Sequence, residues 1–118
     1  MLGKVKDVYL LWHSFRNTIP KTQRYSLGQK VDDLFAETIE AIATAAFLTR
    51  DQKIPYVRRA IQKVDVLKIF LMILWEAQAL DNKKYIALSL PIDEIGTNLG
   101  GWSGQLTKQN SPQNRGEK

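Results

Sequence analysis

Residues 64–75, Val-Asp-Val-Leu-Lys-Ile-Phe-Leu-Met-Ile-Leu-Trp, place ten apolar side chains in a stretch of twelve. The periodicity on either side sets this stretch inside a long helix. A surface helix normally has one apolar stripe and one wet face. Here only Asp65 and Lys68 interrupt, so apolar groups point almost all round. A chain of 118 residues has too few layers to cover such a helix on every side. The expectation is a small helical bundle that hides a second face against copies of itself or a partner. Val66, Ile69, Phe70, Met72 and Ile73 are the expected interface residues.

One globular domain follows from the length and from the balance of 44% hydrophobic and 25% charged residues. No apolar run reaches the ~18 residues that span a bilayer. The start, Met-Leu-Gly-Lys-Val-Lys-Asp, has an early acid and no clean apolar core, so a signal peptide is not expected. The absence of cysteine removes disulfides, thiol catalysis and thiolate metal sites together. A cytoplasmic setting of bacterial or phage type fits.

Four helical stretches emerge. Val5, Val8, Tyr9, Trp12, Phe15 and Ile19 recur at helical steps. Pro20 marks a boundary and suits the first turn of a second helix. That helix carries Leu27, Val31, Leu34, Phe35, Thr38, Ile42 and Ala45 on one face. Thr49-Arg-Asp-Gln-Lys breaks the pattern, with Asp51 as expected N-cap and Pro55 in the next first turn. The third helix is expected to run to about Leu80. Val57, Ile61, Val64, Leu67, Leu71, Leu74 and Gln78 are in phase along it. Asp81-Asn82 closes it and caps the fourth, whose stripe is Tyr85, Leu88, Ile92, Ile95, Leu99 and Trp102. The phase survives Pro91, so one kinked helix is expected there. The glycines at 96, 100, 101 and 104 are expected to end this helix. Residues 107–118 have no aliphatic side chain and read as a disordered polar tail after a bundle over 1–106. Short connections imply an all-α, antiparallel, up-down-up-down four-helix bundle. Gly28 in the second helix suggests a close helix–helix approach, because glycine costs about 1 kcal/mol there relative to alanine.

Catalytic and metal constellations are weak. A di-iron bundle needs two Glu-x-x-His pairs. The chain has one histidine, His13, and no Glu three residues before it. Glu37 and Glu40 are one turn apart and suited to sharing a proton or a cation. Four acids in nine residues more simply form a solvated face. No phosphate-loop pattern surrounds the glycines. No catalytic residue, metal site or cofactor is expected.

The net charge of +5 is uneven. Residues 1–30 carry six Lys/Arg against one acid, whereas residues 31–50 carry one against four. The bundle topology places the first and third connections at one pole. Arg16, Lys21, Arg24, Lys83 and Lys84 should gather there, with Arg58, Arg59 and Lys63 at the other pole near Lys4 and Lys6. Such poles suit phosphate contacts, which are sequence-poor and salt-sensitive.

Four segments carry a resemblance. They are Trp12-His-Ser-Phe-Arg-Asn; Ile19-Pro-Lys-Thr-Gln-Arg-Tyr-Ser-Leu-Gly-Gln-Lys-Val-Asp-Asp-Leu-Phe; Ala79-Leu-Asp-Asn-Lys-Lys-Tyr-Ile-Ala-Leu-Ser; and Glu94-Ile-Gly-Thr-Asn-Leu-Gly-Gly-Trp. Over residues 5–106 the chain resembles a bacterial four-helix-bundle family. That family includes proteins encoded in ribosomal RNA intervening sequences, and Avd, the accessory variability determinant of diversity-generating retroelements. The resemblance implies a barrel-like homopentameric ring with a basic surface. It implies binding to a reverse transcriptase and to nucleic acid, in support of mutagenic cDNA synthesis and without catalysis by this subunit. The other branch implies an oligomeric scaffold of unestablished role that contacts ribosomal RNA. Arg16, Lys21, Arg24, Lys83 and Lys84 fall in or beside the matching segments. Ser89-Leu-Pro-Ile departs from the charged helix formers usual in relatives.

Overall fold

The computed structural model describes residues 1–109. All regular structure among them is helical: α1 (Leu2–Arg16), α2 (Lys21–Arg24), α3 (Leu27–Ala46), α4 (Arg50–Glu76) and α5 (Asn82–Gln109). The four long helices correspond to the four apolar periodicities. They pack as neighbours in the order α1, α3, α4, α5 and back to α1, so α1 lies opposite α4. Val8, Trp12, Phe35, Leu67, Leu71, Leu88, Ile92 and Leu99 belong to the single buried core they share.

The helix ends depart from the sequence expectation in instructive ways. Pro20 opens only the single turn α2, and α3 begins separately at Leu27. Between them Ser26 has φ −116° and ψ −83°, outside helical geometry. Thr49, not Asp51, is the N-cap of α4, and its N–H donates to Gln52 Oε1 at 3.4 Å. Pro55 therefore lies inside α4, past the first turn. At the other end α4 stops at Glu76, four residues before Leu80. The N–H of Ala79 donates to the Leu74 carbonyl at 2.8 Å and that of Gln78 to Trp75 at 2.9 Å. This crossed pair is the Schellman stop, which puts the residue after the cap in left-handed geometry. Gln78 holds that position at φ 64°, where glycine is usual, so the stop carried no glycine signal. It turns Leu80 into the core.

α5 runs unbroken through Pro91 and reaches Gln109. Residues 107–109, expected to begin the tail, are its last turn, and residues 110–118 lie outside the described residues. The glycines at 96, 100, 101 and 104 do not end the helix; they lie within it. Only Gly96 is packed closely: a Cβ there would stand 3.1 Å from Lys68 Nζ, whereas positions 100, 101 and 104 open onto space. Replacing Gly100 and Gly104 by alanine is expected to raise stability by up to about 1 kcal/mol each, read from thermal melts. Gly28 also differs from expectation. Its nearest neighbour would be the Gln23 carbonyl of α2 at an ordinary 3.5 Å, so no helix–helix approach demands glycine there.

α1 has 15 residues against 27 in α4 and 28 in α5. At about 1.5 Å per residue it covers only about half their length. Its N-terminal end is marked by Lys4 Nζ against Glu94 Oε1 at 3.0 Å. Beyond that level the bundle continues with α3, α4 and α5 alone.

Candidate functional site

The face of α4 that points away from the core decides what the bundle does with its apolar excess. Val64, Leu67, Leu71 and Leu74 are buried within the chain. Val66, Phe70 and Ile73 are half-buried, and Ile69 and Met72 remain 51% and 37% exposed. The neighbouring α5 adds Ile86 and Leu90, exposed by 53% and 64%. A groove of about 270 Å³ joins the two helices, lined among others by Ile69, Met72, Tyr85 and Ile92. Completing the burial of each half-wet side chain is worth on the order of 1 kcal/mol. A lone chain leaves that gain unrealised.

Cross-helix pairs give the register around the bundle. Lys68 faces Asp93 at 3.5 Å and Trp75 stacks on Tyr85, which sets Met72 level with residues 88–89. Lys84 bonds Thr18 and Lys4 bonds Glu94, which sets Leu10 level with Leu90. Leu10 is itself 56% exposed on the outer face of α1. Exposed aliphatic side chains of three helices thus sit at one height, as a band across α4, α5 and α1. Leu10, Ile86 and Leu90 carried a weak signal: each lies off its helix's core stripe with polar neighbours at i±3 or i±4.

Of the five cations expected at one pole, Lys84 reaches across to Thr18 Oγ1 at 3.0 Å and so joins the first and third connections. The five differ in how they are engaged. Arg16 Nε lies 2.8 Å from Asp32 Oδ2, while Asp32 Oδ1 accepts the indole N–H of fully buried Trp12 at 2.7 Å. Arg24 folds back and donates to the carbonyls of Asn17 and Ile19 at 2.9 Å each, holding the end of α1. Lys84 also lies over the Phe15 ring at 5.7 Å. Lys21 and Lys83 are exposed, and no acid among the described residues pairs with them. Asp32, which organises Trp12 and Arg16, went unread because only the packing of α1 on α3 brings it there.

Toward the other pole, Arg58 is exposed, Arg59 lies over the Tyr56 ring at 5.4 Å, and Lys63 pairs with Glu37 at 3.3 Å. Lys4 does not join them. Its partner Glu94 adjoins Asp93, the partner of Lys68, so Lys4 sits near mid-bundle, well along from Arg58 and Arg59. Glu37 and Glu40 line an open cleft of about 400 Å³ with Thr44, Tyr56, Arg59 and Lys63. There Lys63 already neutralises Glu37. Among the described residues no three metal-ligating groups converge. His13 is exposed, edge-on to Tyr9 at 6.4 Å. No helix among the described residues is long and apolar enough to cross a membrane.

The arrangement therefore offers an uncovered apolar band around the waist and two uncommitted lysines at one pole. No family model matches the chain, and no curated protein or solved structure matches it either.

Proposed function

We propose that this chain is a non-enzymatic accessory subunit of a diversity-generating retroelement. It assembles as a homopentameric ring, docks the element's reverse transcriptase and holds template RNA or cDNA on its basic pole. The observation that carries this reading is the apolar band on α4 and α5 that one chain leaves exposed to water. Closing a ring repeats each pole around an axis and concentrates the field of Lys21 and Lys83. The segments around Trp12, Ile19, Ala79 and Glu94 support the choice of family.

Co-purification with the reverse transcriptase, followed by sequencing of the bound nucleic acid, tests the reading. Template RNA in the complex is the expected result. Ribosomal RNA without a reverse transcriptase favours instead the scaffold role of the intervening-sequence branch. Binding of single-stranded RNA should tolerate sequence and fall steeply with salt. The double variant Lys21→Glu/Lys83→Glu should weaken it and flatten its log–log salt dependence by about 0.7 for each phosphate that is no longer neutralised. Equal affinity of wild type and variant across a salt series counts against the pole.

A further inference from the structure

Where α4 turns into α5, the chain forms a cleft of about 550 Å³ lined by Trp75, Glu76, Gln78, Leu80, Asp81 and Asn82. Its wall is an indole held in place from two directions. Tyr85 stacks on one side of Trp75, with ring centroids 5.0 Å apart and planes 9° from parallel. Asn82 Oδ1 accepts the indole N–H at 2.7 Å. Trp75 is nevertheless 37% exposed. Trp75 lines the cleft and Tyr85 does not. Two carboxylates flank it. Asp81 uses Oδ1 to accept the Lys84 backbone N–H at 2.8 Å, which leaves Oδ2 unengaged. Glu76 makes no ion pair or side-chain hydrogen bond with any described residue. The floor is the buried Leu80.

We propose that this cleft receives the guanidinium of an arginine from a partner protein, stacked on Trp75 and paired with Glu76 and Asp81. The proposal rests on the reading of the chain as a subunit that docks a protein. A flat cation is attracted to the face of an indole, and its fork of N–H donors matches carboxylates in geometry. The ring, held by Tyr85 and Asn82, and Asp81, held by the Lys84 N–H, require little ordering when the guanidinium arrives, whereas Glu76 has to be ordered by it. The two acids repel a phosphate group, which favours an arginine over a nucleotide at this position. Lys83, beside Asn82 on the outer surface, is left for phosphate. Basic pole and acidic cleft thus serve two partners side by side.

The test is a titration of the full chain, following the Trp75 indole N–H by NMR, with N-acetyl-arginine amide as probe. Its neutral isostere N-acetyl-citrulline amide and adenosine monophosphate are the comparison ligands. The arginine compound should shift the Trp75 signal saturably and the citrulline compound should not. Glu76→Gln should weaken the arginine response about fivefold, the scale of one exposed ion pair. Equal shifts from citrulline, a response to adenosine monophosphate alone, or no response to arginine overturns the proposal. Capture of reverse transcriptase separates the two levels. Equal capture by wild type and Glu76→Gln overturns the cleft and leaves docking intact. Capture by neither overturns the docking reading, and the titration then decides the cleft by itself.

Discussion

Ile69→Asp is expected to abolish the proposed self-assembly and leave a folded monomer. In the isolated chain Ile69 is half exposed on the outer face of α4. A carboxylate there touches water, so the protomer loses little, within about 0.5 kcal/mol as for other surface substitutions. At a subunit interface the same carboxylate is stripped of water, and where it meets no cation this costs several kcal/mol. In a closed ring that cost recurs at every interface. Light scattering should therefore report a mass near the 13.5 kDa of one chain, with helical circular dichroism retained. Met72→Asp should act alike, because Met72 lines the same groove. A variant that keeps its parental mass removes this face from the interface.

The second large effect concerns stability. Asp32→Ala is expected to destabilise the bundle by about 2–3 kcal/mol, because it removes two partners at once. The indole N–H of Trp12, wholly inside the core, loses its acceptor, and the part-buried guanidinium of Arg16 loses its counter-charge. A fall in Tm on the order of 10 °C corresponds to this loss for a domain of this size. Arg16→Ala should also lower Tm, whereas Lys83→Glu should leave it unchanged. This contrast separates the two kinds of cation at the pole: Arg16 acts first on the fold and Lys83 on what the fold binds. A melt of Asp32→Ala superimposable on wild type contradicts that division.

The four long helices were legible because each buries a stripe that recurs at helical steps. Val5, Val8 and Trp12 in α1 and Leu88, Ile92, Ile95 and Leu99 in α5 do so in the phase read from sequence. The convergence of the first and third connections followed from topology alone. Helix ends were less legible because tertiary context sets them. The stop after Glu76 uses Gln78 in left-handed geometry, so a glycine search misses it. Conversely, Gly100, Gly101 and Gly104 looked like a stop yet lie inside α5. Leu106 beyond them is buried, and its packing holds the helix together past residues of low propensity. The fate of individual cations depended on inter-helix register. Nothing local in the sequence says that Arg16 meets Asp32 or that Arg24 folds back on Ile19.

The outer band shows the same division. An apolar excess from Val64 to Trp75 was plain in the sequence, and the exposure of Ile69 and Met72 agrees with it. The contribution of Ile86 and Leu90 was not, because the core stripe of α5 accounts for its stronger periodicity. Leu10 joins the band only through the register of α1 on α5, which sets it level with Leu90.

The central claim is that one chain cannot cover its own α4 face and that copies close over it. Sedimentation velocity of the purified chain at micromolar concentration tests this most directly. A single species with the mass of several 13.5 kDa chains, five if the family resemblance holds, is the predicted result. A stable, fully helical particle of one chain under the same conditions contradicts it.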